Sequence, residues 1–337
     1  MRYFSSLIEN IKPTLSGHDT FPLRYSWLKK SFDQIADQED TNDNIFAKDT
    51  AIADFGVGKN MLNALRFWSM QTGMIYRNGS AYHNTSSAQL INPMNDAAPL
   101  DSLSQLNALY NAESIFANDG LDPYLESPST IWLLHLSLVT NPNLVTYYWL
   151  FNINTKSELS REEFARLLKD FLKDYGLKAP SDSTIRKDIE CLIQNYTAKS
   201  RKSKDNFEGS LEGPLVELGL LTRINKHNIR ALRGEKNDLT LHVFIYALIK
   251  CWRIHNPSAD TLSLETCTYD ECSPGRVFML DEDAIISYAE QLQDTDYHLT
   301  WTQSAGIRQF QITDGSNLDA IFDRCMAYMK SEDYSRS

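Results

Sequence analysis

The chain has 337 residues, with 33 Lys and Arg against 44 Asp and Glu, for a formal net charge of −11 at neutral pH. A chain of that length can bury a sizeable core and has room for two or three domains. With 42% hydrophobic and 23% charged residues it reads as an ordinary soluble protein, and no apolar run approaches the roughly 20 residues a membrane helix needs.

The charge is unevenly spread. Residues 256–337 hold 5 basic and 15 acidic side chains, a balance of −10 that leaves only −1 for the rest. Residues 156–204 are locally basic, 12 against 8, and end in KSRKSK. Basic patches for a polyanion can therefore exist within an acidic chain. Five cysteines, an odd number without a C-x-x-C pair, indicate neither a disulfide framework nor a standard zinc site. The opening MRYFSSLIENIKPTL lacks the apolar run of a signal peptide, so a cytoplasmic location is expected.

The first informative stretch is LSGHDTFPLRYSWLKK, residues 15–30. Thr20 is expected to cap a helix with Pro22 in its first turn, which puts His18 and Asp19 just before the helix and Arg24 one turn inside. A base, a carboxylate, an arginine and a helix N-terminus together could bind a phosphate or a metal-bound phosphodiester. Spacing alone favours the plainer alternative, a capping segment in which Asp19 stabilises the helix dipole.

Residues 54–80, DFGVGKNMLNALRFWSMQTGMIYRNGS, begin like a phosphate loop, but Ala53 stands at its first glycine position and Asn60 at its hydroxyl position. Met61, Leu65 and Trp68, beside Leu62, form an apolar helical face, with Lys59, Asn63 and Arg66 on the other. KDTAIADFGVG upstream reads as a short helix and glycine turn. Downstream, MIYR and SAYH flank Asn78-Gly79, the signal for a type I′ hairpin. Helix, turn, amphipathic helix and hairpin describe a winged helix, with Lys59, Asn60, Asn63 and Arg66 facing DNA. The alternative is a packing or dimerisation module with a solvated polar face.

Residues 78–118 read as loop and short helix. The winged-helix order then recurs between about 146 and 234. Ser160 and Glu163 form a capping box for SREEFARLLKDFLKDYG, ended by Gly176, and APSDSTIRKDIECLIQNY places Ile185, Ile189, Leu192 and Tyr196 opposite Arg186, Lys187 and Glu190. The segments LLTRI and IRAL flank NKHN as a second hairpin carrying Arg223, Lys226 and Arg230. The basic loop adds Arg201 and Lys202 as DNA contacts. Helical proteins with solvated basic faces look the same at this level.

LTLHVFIYALIKCWRI, from Leu239, is apolar nearly all round and is expected to be a buried helix, with His242 and His255 as core or cap residues. SPGRVFMLDEDAIISYAEQL reads as a turn and short strand entering a helix whose first turn carries Asp281, Glu282 and Asp283. The expected fold is mainly α with small β-hairpins: two winged-helix-like, helix-turn-helix units plus additional helices. The expected domains are 1–140 with the GHDTFPLR motif, 141–236 as the second winged-helix-like unit, and 237–337 as an acidic, α-rich C-terminal domain.

No recognisable nuclease core, HNH site, dinucleotide fingerprint or P-loop is present. However, GHDTFPLRY (17–25), FGVGKNM (55–61), PSDSTIRKDI (180–189), PLVELGLL (214–221), SPGRVFML (273–280) and SAGIRQ (304–309) together resemble a bacterial family long described only as a domain of unknown function. Its members lie beside DNA phosphorothioation genes and include the DNA nickase component of the Ssp-type single-strand phosphorothioation system. The resemblance implies a magnesium-dependent nickase of double-stranded DNA, acting in anti-phage defence. A cysteine desulfurase, a PAPS-reductase-like sulfotransfer protein and an ATPase would work with it. Carried onto matching positions, it marks His18, Asp19 and Arg24 as the catalytic neighbourhood, with Asp19 a ligand to Mg2+, His18 a general base or second ligand, and Arg24 a stabiliser of phosphate charge. Two rivals use the same DNA-binding units: a non-catalytic adaptor that recruits the sulfur-modification enzymes, and an operon regulator acting as a homodimer.

Overall fold

The computed structural model describes residues 3–38, 43–86, 111–118, 120–198, 213–304 and 306–334. Arg201, Lys202 and the KSRKSK run lie outside the described residues. The fold is mainly α-helical with three small antiparallel sheets among the described residues.

After a short N-terminal helix, α1 (Tyr3–Leu7), the chain runs through an extended and turn-rich segment into α2 (Tyr25–Ala36). This corrects one expectation: Thr20 does not cap the helix, which starts five residues later with Arg24 as its N-cap residue and no side-chain cap. The expected α3 (Ala51–Phe55), left-handed Gly56 at φ 61° and α4 (Lys59–Gln71) are all present. The following hairpin joins β1 (Ile75–Asn78) to β2 (Ala81–Asn84), but its turn is shifted by one residue from the expected position. Asn78 stays in the ladder opposite Ala81, so Gly79-Ser80 forms the loop. Gly79 has a positive φ of 59° and Ser80 does not, which fits a type II′ turn rather than I′.

Two long apolar helices form the centre. After α5 (Ala112–Phe116), α6 (Pro128–Val139) and the later α10 (Leu241–His255) are buried nearly all round, as the sequence of the latter predicts. Between them, α7 (Val145–Tyr148) widens into a π-helical turn, Trp149–Ile153, ahead of β3 (Glu158–Ser160), α8 (Arg161–Asp174), α9 (Asp182–Tyr196), β4 (Leu221–Arg223) and β5 (Asn228–Ala231). Ser160 accepts from the Glu163 N–H at 3.1 Å, as its capping role requires, while the Glu163 side chain pairs with Lys156 instead of closing the box.

The C-terminal region departs most from expectation. It contains β6 (Thr261–Ser263), α11 (Leu264–Tyr269), α12 (Pro274–Val277), α13 (Glu282–Gln291), β7 (Leu299–Ser304), β8 (Ile307–Ile312) and α14 (Leu318–Tyr334). The strand expected within VFML is absent, because Ser273 caps a helical turn over Pro274–Val277. Asp281 caps α13 by accepting from the Ala284 N–H at 2.9 Å. The strand orders β3-β5-β4 and β6-β8-β7 are the same: in each sheet the first strand pairs with the last, with helices between the first and second strands. One cluster of buried side chains runs from Phe4 to Met329 and joins all these elements.

Candidate nucleic-acid interface

The GHDTFPL segment is a tight, left-handed turn wedged between α4 and α9. Ser16, Asp19 and Thr20 have φ of 62°, 45° and 66°. Such backbone persists in L-residues only where surrounding contacts hold it, and those contacts come from both sides.

From α9, Asp188 Oδ1 accepts the Ser16 N–H at 2.8 Å and contacts His18 Nε2 at 2.8 Å. His18 Nδ1 accepts the Thr20 N–H at 3.0 Å, so the ring is neutral, carries its proton on Nε2 and donates it to Asp188. Both His18 and Asp188 are fully buried. Two turns further along the same face of α9, Asn195 Oδ1 accepts the Leu23 N–H at 2.8 Å. From α4, Asn63 donates to Asp19 Oδ2 at 2.9 Å, and Trp68 Nε1 donates to the Phe21 carbonyl at 2.9 Å. The Trp68 ring stacks on His18 at 5.9 Å, and Phe67 meets it edge-on at 5.5 Å. Gly17 lies so close to Phe67 that a Cβ there would sit 2.5 Å from the ring. Gly17, His18, Asp19, Phe21 and Leu23 of the motif thus each meet α4 or α9.

This placement separates the sequence-predicted site residues. His18 is withdrawn from solvent with both ring nitrogens occupied. Arg24 is half-buried, with its guanidinium 5.4 Å from the centre of the Trp27 ring. Asp19 is half-buried, and Oδ1 has no protein partner among the described residues. Asn63 connects Asp19 to the α4 face that also bears Lys59 and Arg66, at i−4 and i+3. Lys59 and Asn60 are exposed, and neither Lys59 nor Arg66 makes an ion pair among the described residues. On α9, Arg186 and Lys187 are exposed on the side away from Asp188. Asp182, at the start of that helix, is held below the usual carboxylate range by the hydrogen bond and charge of Lys169.

Other basic residues are already paired. Arg223 contacts Thr197 Oγ1 at 2.9 Å and Glu190 at 3.4 Å, Glu190 also meets Arg161 at 2.8 Å, and Arg230 pairs with Glu158 at 2.6 Å. Lys226, in the turn between β4 and β5, is exposed without an ion pair among the described residues. Behind the interface, burial pushes the Tyr147 and Tyr196 hydroxyls and the Cys191 thiol well above their ordinary pKa, so the core supporting α9 stays protonated at these groups.

Sequence reasoning missed Asp188 and Asn195, although a signal was present. Asp188 stands on the apolar stripe of α9, three residues after Ile185 and four before Leu192, where an unexplained carboxylate demands a buried partner.

A family model described as "Protein of unknown function (DUF4007)" matches residues 15–326. The chain belongs to the DUF4007 family. No curated protein matches this DUF4007 chain. Two solved structures are similar to it. "SspB crystal structure" is 22% identical, with a TM-score of 0.75, covering 98% of this chain and 90% of that one. "Magnesium ion-bound SspB crystal structure" is 21% identical, with a TM-score of 0.73, covering 98% of this chain and 99% of that one. At these identities the likeness is one of fold.

Among the described residues of this DUF4007 chain, no group of three His, Cys, Asp or Glu is arranged to hold a metal ion. Asp19 offers a single carboxylate, while protein-bound magnesium takes one or two carboxylates and completes its shell with water and substrate phosphates. No described helix is long and apolar enough to cross a membrane.

Proposed function

We propose that this chain engages double-stranded DNA as a component of a bacterial phosphorothioate-modification and defence system, and that it opens one strand in a magnesium-dependent nicking reaction. The observation that carries the DNA-binding part is the clamp at residues 16–23, which fastens α4 to α9 and leaves the unpaired basic groups of both helices on their outer faces. The reading treats residues 51–84 and 158–231 as two winged-helix units. In each the second helix bears cations, and the β3-β5-β4 sheet of the latter unit, with α8 and α9 between its first two strands, supports the reading. Lys59, Asn60, Arg66, Arg186, Lys187 and Lys226 would meet phosphates, and Asn63 would hold Asp19 beside them.

The fold likeness to SspB, one structure of which is described as magnesium ion-bound, supports association with a phosphorothioation system. Within it, a cysteine desulfurase, a PAPS-reductase-like sulfotransfer protein and an ATPase are the partners of this proposal. For nicking, Asp19 is the candidate that stands at the basic face. His18 contributes by holding the turn, and Arg24 by its position at the start of α2. Magnesium would supply charge neutralisation at the scissile phosphate. The second reading is a DNA-binding adaptor without its own chemistry, which uses the same α4 and α9 faces.

The test is conversion of supercoiled plasmid to open circles by purified protein, with and without magnesium, beside Asp19→Asn. Asparagine tolerates the positive φ and still accepts from Asn63, so the variant removes charge without dismantling the turn. Magnesium-dependent nicking that the variant loses at least about 100-fold supports the nickase and Asp19. A gel shift without nicking establishes the adaptor, and the absence of both overturns the proposal.

A further inference from the structure

The C-terminal sheet ends on one side in a bare edge. In the order β6-β8-β7, strand β7 pairs with β8 along its whole length, from Leu299 opposite Ile312 to Ser304 opposite Ile307, and has no described strand on its other side. The phase of this ladder fixes which backbone groups are left over. Thr313 donates its N–H to the His298 carbonyl at 2.9 Å, and antiparallel pairs alternate, so Thr300, Thr302 and Ser304 exchange hydrogen bonds with β8. The N–H and C=O groups of Leu299, Trp301 and Gln303 therefore point outward. The far side of β8 follows the same alternation, where the Ile312 N–H turns away to the Asp260 carbonyl at 2.9 Å. Among the described residues the outward groups of Trp301 and Gln303 make no hydrogen bond. Leu299 is closed off at 3% exposure, whereas Trp301 is half-buried and Gln303 exposed.

Edge strands ordinarily protect themselves with a charge, a proline or a bulge. The sequence of β7, LTWTQS, has neither charge nor proline, and its register with β8 runs without a bulge. The other edges differ: β1 bears Arg77, β2 His83, β3 Glu158 and β4 Arg223, while β6 is only three residues long. The sheet face beside this edge is neutral as well. Thr300, Thr302 and Ser304 share it with Gln311, Gln309 and Ile307 of β8, the last 58% exposed, in a region with 15 acidic residues against 5 basic. Two copies of net charge −11 repel each other, and a charge-free strand beside a charge-free face is where they can meet.

We propose that β7 pairs antiparallel with β7 of a second copy, joining the two C-terminal sheets into one six-stranded sheet across a two-fold axis. With the axis at Thr302, Trp301 of each copy stands opposite Gln303 of the other, and the two pairs exchange four hydrogen bonds through the groups that β8 leaves free. On the neutral face Thr302 meets its own counterpart and Thr300 meets Ser304, hydroxyl pairs that adjacent strands favour. An axis at Trp301 would bring the buried Leu299 into the ladder, and an axis at Gln303 would leave Trp301 without a partner in β7. The pairing is independent of the DNA-binding reading.

Sedimentation velocity of the full chain over a concentration series should show a species of twice its 38.5 kDa that dissociates on dilution. Gln303→Pro is the informative variant. Its lost N–H points outward, so the β8 ladder stays whole while the dimer loses two hydrogen bonds, and the dissociation constant should rise at least about ten-fold. Thr302→Lys and Thr302→Glu should each weaken the dimer by setting like charges opposite one another, and an equimolar mixture of the two should restore it. That mixture carries the test if Gln303→Pro fails to fold. Thr302→Cys should form an intermolecular disulfide under mild oxidation, against a clean background because the five native cysteines are buried. A monomer at every soluble concentration overturns the proposal. So does a dimer that Gln303→Pro or the Thr302 charge variants leave unaffected, or one in which Thr302→Cys stays reduced.

Discussion

An Asp188→Ala chain should unfold at a clearly lower urea concentration than the unsubstituted protein, with a loss of about 3 kcal/mol. The reason lies in two donors, one buried and one partly buried. Asp188 Oδ1 takes both the Ser16 N–H and the His18 Nε2–H, each at 2.8 Å, and both His18 and Asp188 are fully buried. Alanine leaves both donors without a partner in a site sealed by Phe67 and Trp68. Each stranded group costs about 1–3 kcal/mol, and the positive-φ backbone at Ser16, Asp19 and Thr20 is deprived of one of its anchors. Asp188→Asn keeps an acceptor in the same place and should cost less than about 1 kcal/mol. Equal midpoints for the alanine and asparagine variants would contradict the clamp.

Acid should destabilise the folded chain through His135. This ring is fully buried, and burial lowers its pKa from 6.5 to about 4, partly offset by the bond to the Val277 carbonyl. Nε2 donates to that carbonyl at 2.7 Å, and Nδ1 accepts from the Tyr196 hydroxyl at 2.8 Å, so only the neutral ring suits both partners. Between about pH 6.5 and 4 the unfolded chain takes up a proton that the folded chain refuses. The contribution of His135 is therefore complete above the unfolded pKa and is lost as pH falls through that window, by about 3 kcal/mol in all. A glutamine carboxamide at this position could make both hydrogen bonds without titrating, so His135→Gln should show a flatter dependence of unfolding free energy on pH across that same window. Parallel profiles for the two chains would refute the assignment. The effect reaches α9, because Tyr196 belongs to that helix.

The parts of the fold legible in the sequence are those written in local chemistry. Gly56, the apolar residues Leu65 and Trp68 beside Leu62, and the Ser160 cap each act on residues within a turn or two and stand where the sequence puts them. Met61 is only half-buried, and Asp281, expected in the first turn of its helix, is instead its cap. The paired strands about 225–228 are legible for the same reason. What escapes depends on distant partners. β3 is three residues long and is defined by pairing with β5, some seventy residues on, so its sequence reads only as the approach to a helix cap. The C-terminal sheet does carry a local signal, since LTWTQS and IRQFQI each offer strand-like runs around a Gly306 turn. The acidic composition of that region favours a helical reading instead.

The candidate site divides in the same way. Lys59, Asn60, Arg186 and Lys187 are exposed on helices whose apolar faces predict their orientation. Arg223 and Arg230 carry basic character in the sequence, yet Glu190 and Glu158 neutralise them in the fold, across gaps no periodicity discloses. His18 and Asp188 are 170 residues apart. A histidine beside an aspartate in GHDT suggests local chemistry at solvent, whereas the aspartate that matters to this histidine comes from α9.

The most direct test of a DNA surface shared by α4 and α9 is the salt dependence of duplex binding, followed by fluorescence anisotropy with a labelled oligonucleotide. Two double variants are compared with the unsubstituted chain: Lys59→Gln with Arg66→Gln on α4, and Arg186→Gln with Lys187→Gln on α9. Removing one phosphate-binding cation should reduce the slope of log K against log salt by about 0.9, so each pair should flatten it by about 2 and weaken binding to unrelated sequences alike. If both pairs do so, the clamp presents α4 and α9 to DNA as one surface. If either pair leaves affinity and slope unchanged, the two helices do not share a DNA interface, and the central claim is contradicted.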